Sequence, residues 1–328
     1  MTPMLRLASL ALLALSLMLL AVGAPGATWR ELQFMGTVLL VTVATRSMSA
    51  RYGVSALSLG MGLTTLAVIG AGHAMTAAGV DTTEGVGNWG LVPLMEEALK
   101  LAPVGLVVWL YARRRRFAPN PSDLLMLGCF AGAGFALVEN FQLFQQGGRI
   151  ARDMARQYGP HAAGIYLVPG AWGSAGYAGH AAATGFICGG YGLGLALRDR
   201  LKGAWWAIPA ASAAWILIEH MFVNLYVNTG SSLALMFGNG RLTPWLFVLM
   251  SAAIVWFDMI RHRATIARSA TLARRVRMTR AAMLRKTPPV PKSRAAAAMM
   301  FVSQLRAVNL TAWYIRDRNP VAVRMETV

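Results

Sequence analysis

Five ionisable side chains lie within apolar stretches of this chain at nearly the same depth: Glu96, Glu97, Glu139, His180 and His220. A charge placed in hydrocarbon is costly unless it is paired or hydrated, so a group of this kind indicates a functional site. Carboxylates and imidazoles in this setting carry out acid–base chemistry, relay protons or bind a cation.

The acidic pair is followed by a lysine within one helical turn, in the order Glu96-Glu97-Ala98-Leu99-Lys100. Lys100 therefore lies beside both carboxylates, and Glu placed N-terminal to Lys is the favoured orientation for such a pair. One lysine neutralises only one of the two carboxylates. The sequence thus predicts a further cation, a proton or a metal ion close to the other one.

Further polar residues accompany these stretches. Asn224 follows His220 by about one turn on the same helical face, where an amide can hydrogen-bond a carbonyl or a developing oxyanion. Glu219 lies on a different face and is expected to pair or to reach the interface. Asp258 is expected to form an interfacial ion pair near Arg261.

The elements that must position these residues are membrane spans. The chain is 56% hydrophobic and 13% charged, with a mean hydropathy of +0.49, whereas a soluble domain carries roughly 25% charged residues. A hydrocarbon core about 30 Å thick requires about 20 apolar residues per helix. Candidate spans lie near residues 5–23, 32–46, 53–80, 88–111, 122–144, 174–197, 204–227 and 243–260. The predicted fold is an all-α, polytopic bundle of about eight transmembrane helices.

Orientation follows from Lys and Arg, which are enriched in cytoplasmic loops. They are concentrated after the second, fourth, sixth and eighth candidate spans, which predicts that both termini are cytoplasmic. At about 1.5 Å per residue, the five ionisable groups then lie roughly 8–12 Å below the extracytoplasmic face. The N-terminal stretch also resembles a cleavable signal peptide, although a retained first span is the preferred interpretation.

The chain divides into a transmembrane domain, residues 1–260, and a basic, partly amphipathic tail, residues 261–328. The formal net charge of +18 resides in short inner loops and in this tail, so nucleic-acid binding is not expected. The tail is expected either to bind the anionic lipid of the cytoplasmic leaflet or to remain a solvated basic segment.

Four short motifs occur in order on successive spans and resemble the PrsW family of intramembrane proteases, distant relatives of the CAAX prenyl protease and bacteriocin-processing superfamily. They are Glu96-Glu97-x-x-Lys100, Phe135-x-x-x-Glu139-Asn140, the isolated His180, and His220-x-x-x-Asn224. The resemblance covers about residues 88–227. The chain departs from the wider superfamily in the spacing of Lys100 and in Glu139, where those relatives usually have His.

This resemblance implies hydrolysis of a peptide bond in a single-pass membrane protein, such as an anti-sigma factor, by a multi-pass protein of the bacterial plasma membrane. It implies Glu96 as the general base, Glu97 held toward Lys100, and Asn224 holding the scissile carbonyl. Glu139, His180 and His220 would position the water or bind a divalent metal such as zinc. Phe135 and Asn140 would be supporting residues.

Two alternatives remain at this stage. A proton- or cation-coupled transporter would use the same ionisable groups, whereas a non-catalytic scaffold would leave them unexplained. Within the protease interpretation, hydrolysis is either metal-dependent or driven by carboxylates alone. The sequence slightly favours carboxylates alone, because Glu96 and Glu97 already supply a base.

Overall fold

The structure is a computed structural model that describes residues 16–115, 119–146, 179–231 and 242–268, together with Leu13 and Arg274. These residues are helical apart from short connections, and they contain no β-strand. After a helical segment at residues 16–23, the helices are α1 (Pro25–Val41), α2 (Ala50–Ala77), α3 (Val92–Arg115), α4 (Pro121–Gln146), α5 (His180–Leu201), α6 (Ala207–Thr229) and α7 (Leu242–Arg268).

Four helices of the described chain are long and apolar enough to cross a membrane: α2, α4, α6 and α7. The all-helical membrane fold is therefore confirmed, while the count of eight spans and the placement of both termini stay predictions. Helix α3 falls outside the four although it has 24 residues, and it carries Glu96, Glu97 and Lys100 together with an arginine-rich C-terminal end. Each intramembrane charge lowers the mean hydropathy of its helix, so a helix that carries ionisable site residues is less apolar than an ordinary membrane span.

Helix α4 is the centre of the bundle. Its apolar span is 83% buried, against 22–33% for the other three. Because helix faces that contact lipid need no protein partner, an almost fully buried span must be surrounded by other helices. This central position allows α4 to carry Glu139 into contact with His180 of α5.

Close approach of α4 and α5 depends on glycines. A Cβ atom added to Gly132 would lie 2.7 Å from the carbonyl carbon of His180 and 2.9 Å from Cα of Ala181. Gly128 faces Thr184 and Cys188 in the same way, one turn earlier. Small residues at such positions are typical of helix contacts in membranes, where they allow backbones to approach. Gly132 therefore sets the position of the first residue of α5.

We expect Gly132→Ala to displace His180 and to destabilise the bundle by about 1–3 kcal/mol, the usual effect of forcing extra volume into a filled interior. A lower midpoint of thermal unfolding in detergent, accompanied by reduced proteolytic activity, would be the measured result. Gly70→Ala on α2 is the matched control, since a Cβ there meets nothing within 4 Å. If the two variants melt and cleave alike, Gly132 does not set the position of His180.

At the end of the bundle opposite Glu96, a cluster of hydrogen bonds caps α4. Asn120 and Asp123 cap each other: Asp123 N donates to Asn120 Oδ1 at 2.8 Å, and Asn120 N donates to Asp123 Oδ2 at 3.1 Å. This is a reciprocal capping arrangement with Pro121 at the first helical position. Asp123 Oδ1 also accepts from Met48 N at 2.7 Å, which ties the start of α2 to α4.

Asp258 belongs to this cluster, and the expected interfacial ion pair is not its main contact. It is 2% exposed, and its Oδ2 accepts hydrogen bonds from Ser122 Oγ at 2.6 Å and Ser122 N at 3.1 Å. The carboxylate thus satisfies an amide in the first turn of α4. Changing Asp258 would disturb this cap, so a substitution there cannot serve as a neutral control when site variants are tested for activity.

Two helix boundaries differ from the sequence prediction in ways that affect the site. The second candidate span was expected at 32–46, whereas α1 is Pro25–Val41, which places Arg30 inside a helix rather than in a loop. The sixth was expected at 174–197, whereas α5 begins at His180. Most of the basic tail lies outside the described residues.

Candidate active site

The acidic turn of α3 forms the base of the site. A π-helical turn, Gly87–Leu91, leads into α3 and places Glu96 and Glu97 in its second turn. Lys100 is completely buried, and its Nζ lies 2.7 Å from Glu97 Oε1 and 4.0 Å from Glu96 Oε2. Lys100 therefore pairs with Glu97, as the spacing predicted.

His180 joins this turn from α5. Gly179, which precedes it, has φ of 83°, a left-handed conformation that favours glycine and turns the chain into the helix. Lys100 Nζ lies 2.5 Å from His180 Nδ1, and Glu139 Oε2 lies 2.6 Å from His180 Nε2. A carboxylate only accepts and an ammonium only donates, so the ring is neutral, with its proton on Nε2.

The start of α5 also favours the carboxylate beside it. His180 is the first residue of this helix, and a helix N-terminus carries a partial positive charge. Glu139 contacts the His180 ring and has the most exposed side chain of the ion pairs in the site, at 29%. Glu139 is therefore the least enclosed carboxylate of the site.

His220 closes the site from α6. Its Nδ1 lies 2.9 Å from Glu97 Oε1, and its Nε2 lies 3.8 Å from Glu96 Oε2. The Nδ1 proton is donated to Glu97, and Nε2 is directed toward Glu96, where it carries a lone pair when the ring is neutral. The His180 and His220 rings are 5.3 Å apart at an angle of 66°.

The ionisable groups thus form one continuous series across α4, α5, α3 and α6. Its order is Glu139, His180, Lys100, Glu97, His220 and Glu96. The links measure 2.5–2.9 Å, except the last, which is 3.8 Å. The structure brings together all five ionisable residues named from the sequence, and Lys100 lies at the centre.

Phe135 and Asn140 lie beside the series on α4. The Phe135 ring meets the edge of His180 at 4.9 Å between centroids, and Lys100 Nζ lies 5.1 Å from the same centroid. A ring face near an ammonium is an attractive cation–π contact. Phe135 therefore covers both His180 and Lys100, while Asn140 is buried, at 8% exposure.

Asn224 is held by a residue that the sequence did not indicate. Its Nδ2 donates to the backbone carbonyl of Asn88, at 3.4 Å, and Asn228 donates to the side chain of Asn88. Asn88 lies in the π-helical turn before α3. Such a turn has no clear sequence signature, which is why Asn88 was missed. One N–H of the Asn224 amide is engaged here, and the amide has a second.

Glu219 is turned away from the site. It is 1% exposed, and its Oε1 accepts a hydrogen bond from Thr243 Oγ1 at 2.5 Å. Trp215 Nε1 donates to the same hydroxyl at 2.8 Å. These bonds join α6 to the start of α7, so Glu219 pairs within the protein and does not reach the interface.

Three of the site residues can offer ligand atoms to one metal ion. Those of Glu96, His180 and His220 lie within 4.8 Å of one another, and all three residues are buried. The sequence named Glu139 with the same two histidines. The two sets differ in one carboxylate: the structure has Glu96 where the sequence had Glu139. Glu139 contacts His180 at Nε2, on the side of the ring away from Lys100.

Comparison with known proteins agrees with this arrangement. Residues 48–257 match the model of a family described as PrsW family intramembrane metalloprotease. No curated protein and no solved structure matches the chain. The match covers well over half of the chain and includes every residue of the site. A family of proteases, rather than of transporters or scaffolds, accounts for the buried acid and imidazole groups. The chain therefore belongs to the PrsW family and is an intramembrane endopeptidase.

Proposed function

We propose that this protease hydrolyses a peptide bond of a single-pass membrane protein, in or beside its transmembrane segment and near the extracytoplasmic face. The observation that carries the proposal is the environment of Glu96. Its Oε2 is buried and has no hydrogen-bond partner within the described structure. A buried carboxylate oxygen kept in this condition is suited to act on a bound water molecule.

Glu96 is the general base in this proposal. Water attacks the carbonyl carbon of the scissile bond, and its proton passes to Glu96. When the C–N bond breaks, Glu96 returns a proton to the departing nitrogen. Glu97 cannot share this role equally, because Lys100 and His220 both contact its Oε1. It instead fixes the His220 ring.

Asn224 supports the oxyanion that forms on the carbonyl oxygen. One of its amide protons is held by the Asn88 carbonyl, which orients the side chain so that the second can donate to substrate. A preoriented donor of this kind stabilises developing charge without reorganisation. The position of Asn88, in the π-helical turn that leads into α3, links the orientation of Asn224 to the helix that carries Glu96.

The residues also fit the metal ion that the family description implies. Glu96, Glu97 and Glu139 against Lys100 leave a formal charge of −2 when both histidines are neutral, which a divalent cation would neutralise. Glu96 Oε2 and His220 Nε2 are 3.8 Å apart, close to the roughly 3.3 Å between two ligands about 2.0 Å from a tetrahedral zinc ion.

We propose that Glu96 Oε2, His180 and His220 hold this ion, and that the other carboxylate oxygen of Glu96 takes the proton from water. When bound, it would act as a Lewis acid on the carbonyl or on water. His180 and His220 already have one ring nitrogen each fixed by Glu139 and Glu97, as metal-ligating histidines usually do. Binding of the ion through His180 Nδ1 would replace the hydrogen bond that this nitrogen accepts from Lys100. This donor set supports metal-dependent hydrolysis over the carboxylate-only mechanism favoured by the sequence.

The substrate and the cellular setting follow from the family and from charge. We propose a multi-pass protein of the plasma membrane whose site faces outward, because the arginine-rich connections lie at the other ends of the helices. An anti-sigma-factor-like substrate fits a site near that face. The basic tail is proposed to bind anionic lipid on the cytoplasmic side.

Cells with and without the chain provide the test. Candidate single-pass proteins carrying a tag at each end are expected to be cut only where the chain is present, and mass spectrometry of the fragments locates the bond. A bond in or beside the outer half of the transmembrane segment is expected. Identical fragments in both strains for every candidate, or a cut confined to the cytoplasmic half, would contradict the proposal.

A further inference from the structure

A buried chain of hydrogen bonds joins α6 to the start of α7. Trp215 Nε1 donates to Thr243 Oγ1 at 2.8 Å, and Thr243 Oγ1 donates to Glu219 Oε1 at 2.5 Å. One hydroxyl therefore bonds to two side chains of α6. Thr243 is 0% exposed and Glu219 is 1% exposed. The reaction described above uses none of these residues, so their place in an apolar interior calls for another role.

The chain lies beside the site residues of α6. Trp215 and Glu219 are four residues apart and share one face of the helix. His220 comes next, about 100° further around the helix axis, and its Nδ1 lies 2.9 Å from Glu97 Oε1. Thr243 therefore holds one face of α6 while Glu97 holds an adjoining one. Two such contacts together fix how far the helix is rotated about its axis.

Asn224 depends on the same rotation. It lies one turn beyond His220 on the same face of α6. Its contact with the Asn88 carbonyl is longer than those of Thr243, at 3.4 Å, and so constrains the rotation less. The setting of α6 that Thr243 favours is therefore the one that brings both site residues of this helix toward α3.

Apolar packing defines the rotation of α6 only weakly. The apolar span of this helix is 22% buried, so most of its surface faces away from the protein. Lipid tails are as apolar as the side chains of the helix, and one rotational setting therefore differs little from another in apolar contact. A buried polar group that loses its partner is costly, so the hydrogen bonds of Thr243 distinguish these settings sharply.

We propose that Thr243 is a positioning residue that sets the rotation of α6 and so directs His220 and Asn224 into the site. The catalytic value of this placement rests on the proposed function. A role in stability alone does not explain the chain, because buried hydrogen-bond partners can be replaced together by apolar groups of similar shape with little loss of stability. Apolar groups would not supply a single defined setting of the helix.

The first test compares Thr243→Val, which keeps the shape of the side chain, with Thr243→Ser, which keeps the hydroxyl. The purified full-length protein is assayed with a single-pass protein that the cell experiment shows to be cut. Thr243→Val is expected to lower kcat by about 10–100-fold, since a displacement of about 1 Å at a reacting centre has an effect of this size. KM should stay close to that of the wild type, because the displaced groups act on the reacting bond. Thr243→Ser should restore most of kcat.

Thr42→Val is the matched control for this comparison. Thr42 is also 0% exposed, and its hydroxyl donates to the Val38 carbonyl of the preceding turn rather than to another helix. It should therefore cleave like the wild type. A loss of kcat in Thr42→Val equal to that in Thr243→Val would overturn the proposal.

The second test follows the rotation itself and requires no proteolysis. Ile216 is 0% exposed and Ile218 is 38% exposed, so Ile218→Cys should react with a maleimide in detergent much faster than Ile216→Cys. The native residues Cys129 and Cys188 are buried. Thr243→Val is expected to narrow the difference in labelling rate between the two positions, and Thr243→Ser to preserve it. An unchanged difference in Thr243→Val would contradict the proposal.

A triple variant answers the case in which Thr243→Val is unstable. Valine leaves Trp215 and Glu219 without their bonds to the hydroxyl, which is costly in a buried position. Trp215→Phe, Glu219→Leu and Thr243→Val together remove all the partners, so the unfolding midpoint should return close to that of the wild type. The labelling difference should stay narrow and kcat low. Wild-type labelling and kcat in the triple variant would show that Thr243 does not set the rotation of α6.

The two readouts separate this proposal from the proposed function. A narrowed labelling difference together with wild-type kcat would confirm the rotation set by Thr243 and overturn the catalytic roles proposed for His220 and Asn224. A wild-type labelling difference together with reduced kcat would overturn the positioning role of Thr243 and leave those catalytic roles in place.

Discussion

Cleavage by Glu96→Gln is expected to fall by about 10²–10⁴-fold while the protein still accumulates in the membrane. Glutamine keeps the volume of the side chain but cannot take a proton from water, and general base catalysis alone contributes about 10²–10⁴-fold. Because Glu96 Oε2 has no hydrogen-bond partner in the described structure, the amide breaks no existing bond. Loss of activity in this variant would therefore report on chemistry rather than folding.

The matched control is Glu84→Gln, the same chemical change at an exposed position twelve residues earlier. It should cleave like the wild type. Asp258→Asn is unsuitable for this purpose, since Asp258 accepts two hydrogen bonds at the start of α4. Wild-type cleavage by Glu96→Gln would show that the base is a different group.

Glu139→Gln and His220→Ala should also lose activity, for a different reason. Each removes one end of a hydrogen bond that orients a histidine or its carboxylate partner, at 2.6 Å for Glu139 and 2.9 Å for His220. Groups that act as a unit show strongly non-additive effects. The double variant Glu96→Gln, Glu139→Gln is thus expected to be no worse than Glu96→Gln alone.

The parts of the site that follow from one helix could be predicted from the sequence. Glu97 and Lys100 are three residues apart, and helix geometry alone brings them together, as the 2.7 Å contact confirms. The depth of each residue along its helix is also a matter of counting, which is why four helices could be expected to deliver their polar groups to one layer.

Rotation about the helix axis could not be predicted. An all-round apolar helix carries no periodicity that fixes its facing, and α4 is such a helix, being buried on nearly all sides. The contact of His220 with Glu97 depends on the rotations of α6 and α3, and that of Lys100 with His180 on those of α3 and α5. The same uncertainty explains why the sequence named Glu139 as a ligand where the structure presents Glu96.

The start of α1 was missed for a related reason. The candidate spans 5–23 and 32–46 left Arg30 in the connection between them, yet proline is well accommodated in the first turn of a helix. In the structure Pro25 is the first residue of α1 and Arg30 is buried. Arg30 is thus an interior residue of α1 and does not lie in a loop.

Purified protein is expected to contain about one equivalent of a divalent metal, and a strong chelator should remove both metal and activity, with zinc restoring them. The formal charge of −2 on Glu96, Glu97, Glu139 and Lys100, with both histidines neutral, is the physical reason. Histidine and carboxylate ligands must be deprotonated to bind, so metal affinity should fall as the pH is lowered. A carboxylate-only mechanism predicts activity that is insensitive to chelator.

Metal content in variants distinguishes the two possible donor sets. Glu96→Gln and His180→Ala should each leave the purified protein with little metal, because they remove atoms of the set that lies within 4.8 Å. Glu139→Gln should keep most of it and lose affinity by about 10–100-fold, the usual effect of removing a group that only orients a ligand. Glu84→Gln again serves as the control.

If Glu139→Gln is metal-free while Glu96→Gln retains a full equivalent, the donor set predicted from the sequence is correct and Glu96 acts only as the base. If the active wild-type protein holds no metal and ignores the chelator, Lys100 and a shared proton neutralise the site, and hydrolysis is driven by carboxylates alone.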